Sequence, residues 1–321
     1  ILTPMDACLL PGAMHPWMDP HLETRLWPHG CRKIYHAYDR IFGCRGHGWS
    51  NLQSTHLNLG FRGDEEFARL HTAIRLILPI LPAIAASSPF AGGSPSGLHD
   101  TRLHYYRQNQ RRVPSITGSI IPEPVLSRRQ YTEQINERIY RDIEPYDPEN
   151  LLRHEWLNSR GAIARFERSA IEIRLLDIQE CPAADLAVAS AVTTCLQELV
   201  HEQWSDFGRQ QEAGEEQLLQ LLLRCMESGE KTVISDLDYL SCFAFPSKTC
   251  TAGELWVHII ESPVDAGANI AYYRGIRELL RQGTLAGRLL RAAGTDPGRE
   301  KLRQIYGELA GCLADGRLFI P

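Results

Sequence analysis

Long apolar runs, paired cysteines and a surplus of basic charge are all missing from this 321-residue sequence. No uninterrupted apolar stretch reaches the ~18 residues that a membrane-spanning helix requires. The nine cysteines, at positions 8, 31, 44, 181, 195, 225, 242, 250 and 312, are scattered, odd in number and without a Cys-x-x-Cys pair. Such spacing supports neither a disulfide framework nor a structural zinc site. It is the usage of reduced thiols, and a cytoplasmic location is the expectation. A formal net charge of −5 and a pI near 6.2 give no general attraction to nucleic acid or to membrane headgroups, so neither is expected as a partner. No secretory signal, internal repeat or low-complexity segment is visible.

What the chain does have is apolar–polar alternation at a period of two. Within residues 161–177, Ile171, Ile173 and Leu175 fall on one strand face, and Glu172 and Arg174 fall together on the other. A carboxylate and a guanidinium two residues apart suit a divalent cation and a phosphate lying side by side. The same alternation describes the wet outer face of an antiparallel sheet, and the local pattern leaves both readings open. Residues 49–61 read as a second strand, with Leu57, Leu59 and Phe61 on one face and Ser54, His56, Asn58 and Gly60 on the other. A strand histidine commonly serves a plain structural role. The neighbouring Asn58 amide, and the open space that Gly60 leaves, fit a surface that faces a cleft.

Helical spacing accounts for most of the rest. Phe67, Leu70, Ala73, Ile74, Ile77 and Leu78 recur over 65–86, where Pro79 and Pro82 should kink or end the helix early. Short helices are expected over 32–41 and 130–144, and Pro182 opens an apolar helix running to about residue 204. From Gly214 the pattern is almost all helical: 216–228, 252–261, 269–281, 285–293 and 299–314. Residues 87–118 are rich in Gly, Ser and Pro and then in Arg, with Arg102, Arg107, Arg111 and Arg112 around Tyr105 and Tyr106. A loop this long is usually functional or disordered, and its arginines read as a solvated basic helix face sooner than as a nucleic-acid site on an acidic chain. In the loop 15–27, Met14, Met18, His15 and His21 show no recurring ligand spacing, which favours a packed loop over a soft-metal site. Cys44 and His47 flank a glycine turn without an orienting acid, which argues against thiol catalysis. The expected fold class is α+β, one domain over 1–321, with helices flanking an antiparallel sheet and a mostly helical C-terminal third.

Four short motifs occur in order: Leu10-Pro-Gly-Ala-Met-His-Pro16, Thr55-His-Leu-Asn-Leu59, Ala85-Ala-Ser-Ser-Pro89 and Ile171-Glu-Ile-Arg-Leu-Leu-Asp177. Taken together they resemble the glutamate–cysteine ligases of the carboxylate–amine ligase type, over nearly the whole chain. The family's counterparts are a Gly-rich strand ending in His-Pro, a His-x-His or His-x-Asn strand, an Ala-Ser-Pro closing the next helix, and a Glu-Val-Arg-x-x-Asp strand. The resemblance implies the fold of the glutamine-synthetase catalytic domain and ATP-dependent amide formation through an acyl phosphate, giving γ-glutamylcysteine. It implies ATP and Mg²⁺ as cofactors, with Mn²⁺ as a substitute ion, and small-molecule partners. By the same resemblance His56 and Glu172 are metal ligands, Arg174 and Arg165 are catalytic, and Asn58, Arg102 and His15 contact substrate or nucleotide.

The family also carries acidic strands ahead of the point where Ile1 stands, one of them bearing Glu-x-Glu. The expectation that follows is a chain without its first strands, with little or no ligase activity by itself and a sheet edge open to self-association and homo-oligomers. Two other readings stand beside the ligase: a non-catalytic nucleotide- or metal-binding remnant, and a ligase for a different acid and amine.

Overall fold

A computed structural model describes residues 2–262 and 270–321. Its main sheet has three antiparallel strands, β1 (Ser54–Gly60), β2 (Ala162–Arg165) and β3 (Ala170–Asp177), in the spatial order β1-β3-β2. Strand β1 keeps the alternation read from sequence: His56, Asn58 and Gly60 are exposed, while Leu57 and Leu59 pack against the core. Strand β3 does not. It is hydrogen-bonded on both sides and every residue in it except Arg174 is buried. Glu172 retains 6% of its exposure, which excludes the wet-face reading.

The register sets Asn58 opposite Glu172, Leu57 opposite Ile173 and Leu59 opposite Ile171. The ladder then slips, because Thr55 pairs with Leu176 while Leu57 pairs with Ile173. Two residues of β3, Arg174 and Leu175, therefore oppose His56 alone. This is a β-bulge, a device that re-aims side chains and sharpens local twist.

Helix α1 (Gly63–Ile77) starts directly after β1, with Asp64, Glu65 and Glu66 in its first turn, where carboxylates complement the exposed N–H groups. It turns Phe67, Ile74 and Ile77 into the main core. Pro79 ends the α geometry as expected: a 3₁₀ turn at Leu78–Ile80 and a last turn at Pro82–Ala85 follow. Helix α2 (Thr101–Tyr106) lies inside the segment expected to be a long loop, whose first residues, Ser87 to Phe90, are fully buried. Helix α3 (Pro182–Val200) is, by length and composition, long and apolar enough to cross a membrane. Here it packs on α1, with Ala187, Val188, Ala191, Val192, Cys195 and Leu199 buried, so it serves as a core helix.

The C-terminal helices follow the sequence reading closely. The helix expected over 269–281 is described as Ile270–Gln282, and Asn269 lies outside the described residues. Helices α4 (Leu285–Ala293) and α5 (Arg299–Asp315) enclose a second apolar cluster with Phe90 and Phe319. Two expectations fail. Residues 10–16 form no strand, because Pro11 and Pro16 lack N–H donors and Gly12 turns the chain at φ +93°. The strand expected from residue 49 begins at Ser54, after a helical turn at His47–Ser50.

Candidate functional site

Glu172 is the hub of the face shared by β1 and β3. His56 Nδ1 lies 2.9 Å from its Oε1, Arg174 Nε lies 3.3 Å from the same oxygen, and Arg165 Nη1 donates to Oε2 at 3.1 Å. The carboxylate can only accept, so His56 Nδ1 carries a proton there, and in the neutral ring Nε2 accepts from the Ser54 hydroxyl at 2.9 Å. The His56 hydrogen bond, with the charges of Arg174 and Arg165, draws the Glu172 pKa down to about 2 against the opposing effect of burial. Arg174 in turn reaches the Tyr106 hydroxyl at 3.4 Å and the Asn158 carbonyl at 3.2 Å. The nearby Tyr106 phenol is the main influence holding its pKa above the ordinary value.

The sequence-derived residues divide into two groups. His56, Asn58, Glu172, Arg174 and Arg165 come together on neighbouring strands, with Asn58 as the cross-strand partner of Glu172. Arg102 and His15 do not join them. Arg102, expected to meet substrate, is 2% exposed and its guanidinium is committed: Nε pairs with Asp177 Oδ1 and Nη2 donates to the Leu175 carbonyl at 2.7 Å. Asp177 also accepts from Ser87 N at 2.8 Å and from the Ser88 hydroxyl at 2.9 Å, which leaves it no room for a cation. The Ala-Ser-Ser-Pro motif is thus part of a hydrogen-bonded node at the end of β3, and Arg102 belongs to that node. His15 is tied instead to Asn51, whose side-chain amide accepts from its N–H (2.8 Å) and donates to its carbonyl (3.0 Å). Burial lowers its pKa.

A hard divalent cation prefers about six oxygen ligands. Among the described residues no group of three or more His, Cys, Asp or Glu side chains is placed to hold one. His56 and Glu172 are adjacent, but a proton joins them and both carboxylate oxygens face cations. The pair does not fit a metal centre as it stands. The arrangement supplies instead two guanidinium groups oriented by one buried carboxylate, the groups best suited to hold a phosphoryl or carboxylate oxygen. Cys44 is equally unsuited to nucleophilic work, since burial and then Asp39 push its thiol up to about 12.

Sequence reasoning missed the aromatic layer behind Arg174. Tyr38 packs on Trp49 (ring centroids 5.4 Å apart) and Trp156 (6.1 Å), and burial raises its pKa while the charge of Arg174 opposes that. Beyond this layer lies a cavity of about 740 Å³, bounded by Trp17, His47, Trp49, Tyr105, Arg111 and Arg112 among others. The only hint in the sequence was the interleaving of Arg with Tyr near residue 105.

A 203-residue stretch, 63% of this chain, is 40% identical to a protein of Archaeoglobus fulgidus described as uncharacterized, and covers 54% of that protein. The chain thus matches about half the length of this relative. Residues 6–308 match the glutamate-cysteine ligase family 2, a span that holds all four motifs, both carboxylate nodes and the cavity. Nearly the whole fold around Glu172 lies within that match, and the chain belongs to the glutamate-cysteine ligase family 2.

Proposed function

We propose that this chain is an ATP-dependent carboxylate–amine ligase, with glutamate and cysteine as its acid and amine. The observation that carries the reading is the Glu172 cluster, in which one buried carboxylate orients Arg165 and Arg174 on a face opened by Asn58 and Gly60. A carboxylate is a poor acyl donor because its leaving group would be an oxide. Phosphorylation of the glutamate side-chain carboxylate gives an acyl phosphate, and the amine then displaces phosphate. Little covalent work falls to the protein in such a transfer; it positions anions and offsets the charge that spreads over the transferring oxygens. Arg174 and Arg165 suit that task, and Glu172 with His56 keeps their forks in place. Asn58 is a polar contact for substrate or nucleotide on the same face. Magnesium enters with the nucleotide as MgATP.

The incomplete set of cation donors favours one alternative, a protein that binds nucleotide without turning it over. One assay separates the two: ADP release from this polypeptide with MgATP, glutamate and cysteine, and with each amino acid omitted. Release that requires both amino acids supports the ligase. ATP binding without amino-acid-dependent release supports the alternative.

A further inference from the structure

The cavity behind the Tyr38 layer is a second feature with chemical character of its own. Its lining mixes aromatic rings with cations: Trp17, Trp49 and Tyr105 on one hand, Arg111 and Arg112 on the other. Asp19 is the one carboxylate among the lining residues, and it caps the turn Pro20–Glu23 by accepting from His21 N and Leu22 N. The wall is built rather than accidental. A Cβ on Gly48 would lie 1.7 Å from Asn109 Oδ1, and Asn109 Nδ2 donates to the Gly48 carbonyl, so a side chain at 48 would displace the Asn109 amide that ties these two segments. His47 is oriented as well. Asn51 Nδ2 donates to the His15 carbonyl and lies 3.1 Å from His47 Nδ1, so Nδ1 is the acceptor and the neutral ring keeps its proton on Nε2. Burial, then the nearby His21, lowers the His47 pKa and favours that neutral form.

The position relative to Glu172 is specific too. Tyr105 lines the cavity while its neighbour Tyr106 contacts Arg174, and Trp49 lines it while packing on Tyr38. Consecutive residues of α2 thus line the cavity and contact the guanidinium of Arg174.

We propose that this cavity binds the amine-bearing substrate, a free amino acid held by its α-carboxylate on Arg111, with the aromatic wall covering its stem. The assignment rests on the ligase reading for its place in the reaction, and on the cavity alone for its ligand class. Arg112 already donates through Nη1 to the Ile41 carbonyl at 3.1 Å and lies over the Tyr146 ring, so Arg111 is the freer cation, and one cation with one carboxylate matches a zwitterion, which carries one charge of each sign. A triphosphate, with about four negative charges, would meet the Asp19 carboxylate and would find the N–H groups of the turn Pro20–Glu23 already capped by it.

The test is calorimetric titration of the whole chain, without nucleotide, with L-cysteine, L-glutamate, the methyl ester of each, and ATP. Two variants are compared: Arg111→Ala removes a cation, and Gly46→Leu adds a side chain at a lining position where a Cβ meets nothing within 4 Å and φ is extended. Melting curves check that each variant folds. A free amino acid should bind, its methyl ester at least tenfold more weakly, and both variants should lose on the order of 10–100-fold in affinity, the range for a charge-assisted hydrogen bond. Binding of neither amino acid, equal binding by ester and acid, or a loss confined to ATP would each overturn the assignment. If the pattern holds while the native chain shows no amino-acid-dependent ADP release, the cavity stands and the ligase reading fails.

Discussion

The two ends of β3 carry the same kind of chemistry and put it to opposite use. At the far end Asp177 meets Arg102, both 2% exposed or less, with Ser87, Ser88 and backbone carbonyls filling the remaining valences. Five residues earlier Glu172 meets Arg165 and Arg174, whose side chains keep 14% and 21% of their exposure. The far pair is closed and satisfied. The near cluster is open and over-supplied with cation, with the buried Nε of Arg165 left without a partner. Acid–arginine contacts on one strand are therefore not equivalent: a saturated pair is architecture, and an unsaturated one has capacity to bind.

The comparison breaks most readily at Asp177. Asp177→Asn should strip the buried Arg102 of its counter-charge and cost about 3–5 kcal/mol, the usual penalty for breaking a fully buried pair from one side. Chemical denaturation measures it. A loss under about 1 kcal/mol would mean that the node is not structural.

Acid titration gives an effect of similar size from a third buried group. His71 is wholly buried, neither ring nitrogen has a partner, and burial, then Arg75 and Arg160, lowers its pKa to about 3. Between pH 6.5 and about 3 only the unfolded chain takes up the proton, so stability falls as pH falls, by about 1.4 kcal/mol per pH unit from this site. His71→Phe should flatten that slope. An unchanged slope would assign the acid limb to other groups.

At the near cluster the expected loss is in rate. Arg174→Lys keeps the charge but loses the planar fork, and in the ligase assay turnover should drop on the order of 10²–10³ with much less change in ATP affinity. Equal turnover would make Arg174 structural and dissolve the contrast. Glu172→Gln should cost stability by only about 1 kcal/mol, because its partners reach water.

The smallest effect is a titration. The Glu172 carboxyl, drawn down to about 2, contributes stability above its ordinary value of 4.5 that is lost as pH falls through the lower one. In His56→Ala its NMR-observed pKa should move back up, since the His56 hydrogen bond is the largest cause of the shift. No movement would place the whole effect on the arginines.

The sequence by itself determined the faces of β1, the proline-ended α1, the C-terminal helices and the pairing of His56 with Asn58 and of Glu172 with Arg174 within their own strands, while only the family resemblance joined the two pairs. These depend on local periodicity and on the direction in which consecutive side chains point, which a strand or helix imposes without help. Tertiary structure alone decided the rest. Whether Glu172 was wet or buried depended on which strands flanked β3 and what covered its face. Arg102 read as a binding residue by resemblance alone, which does not reveal that Asp177, 75 residues away in sequence, and Ser88 close around it. The slip opposite His56, the Tyr38 layer and the cavity between residues 17–49 and 105–112 likewise exist only where distant segments meet, and no local spacing encodes a contact between them.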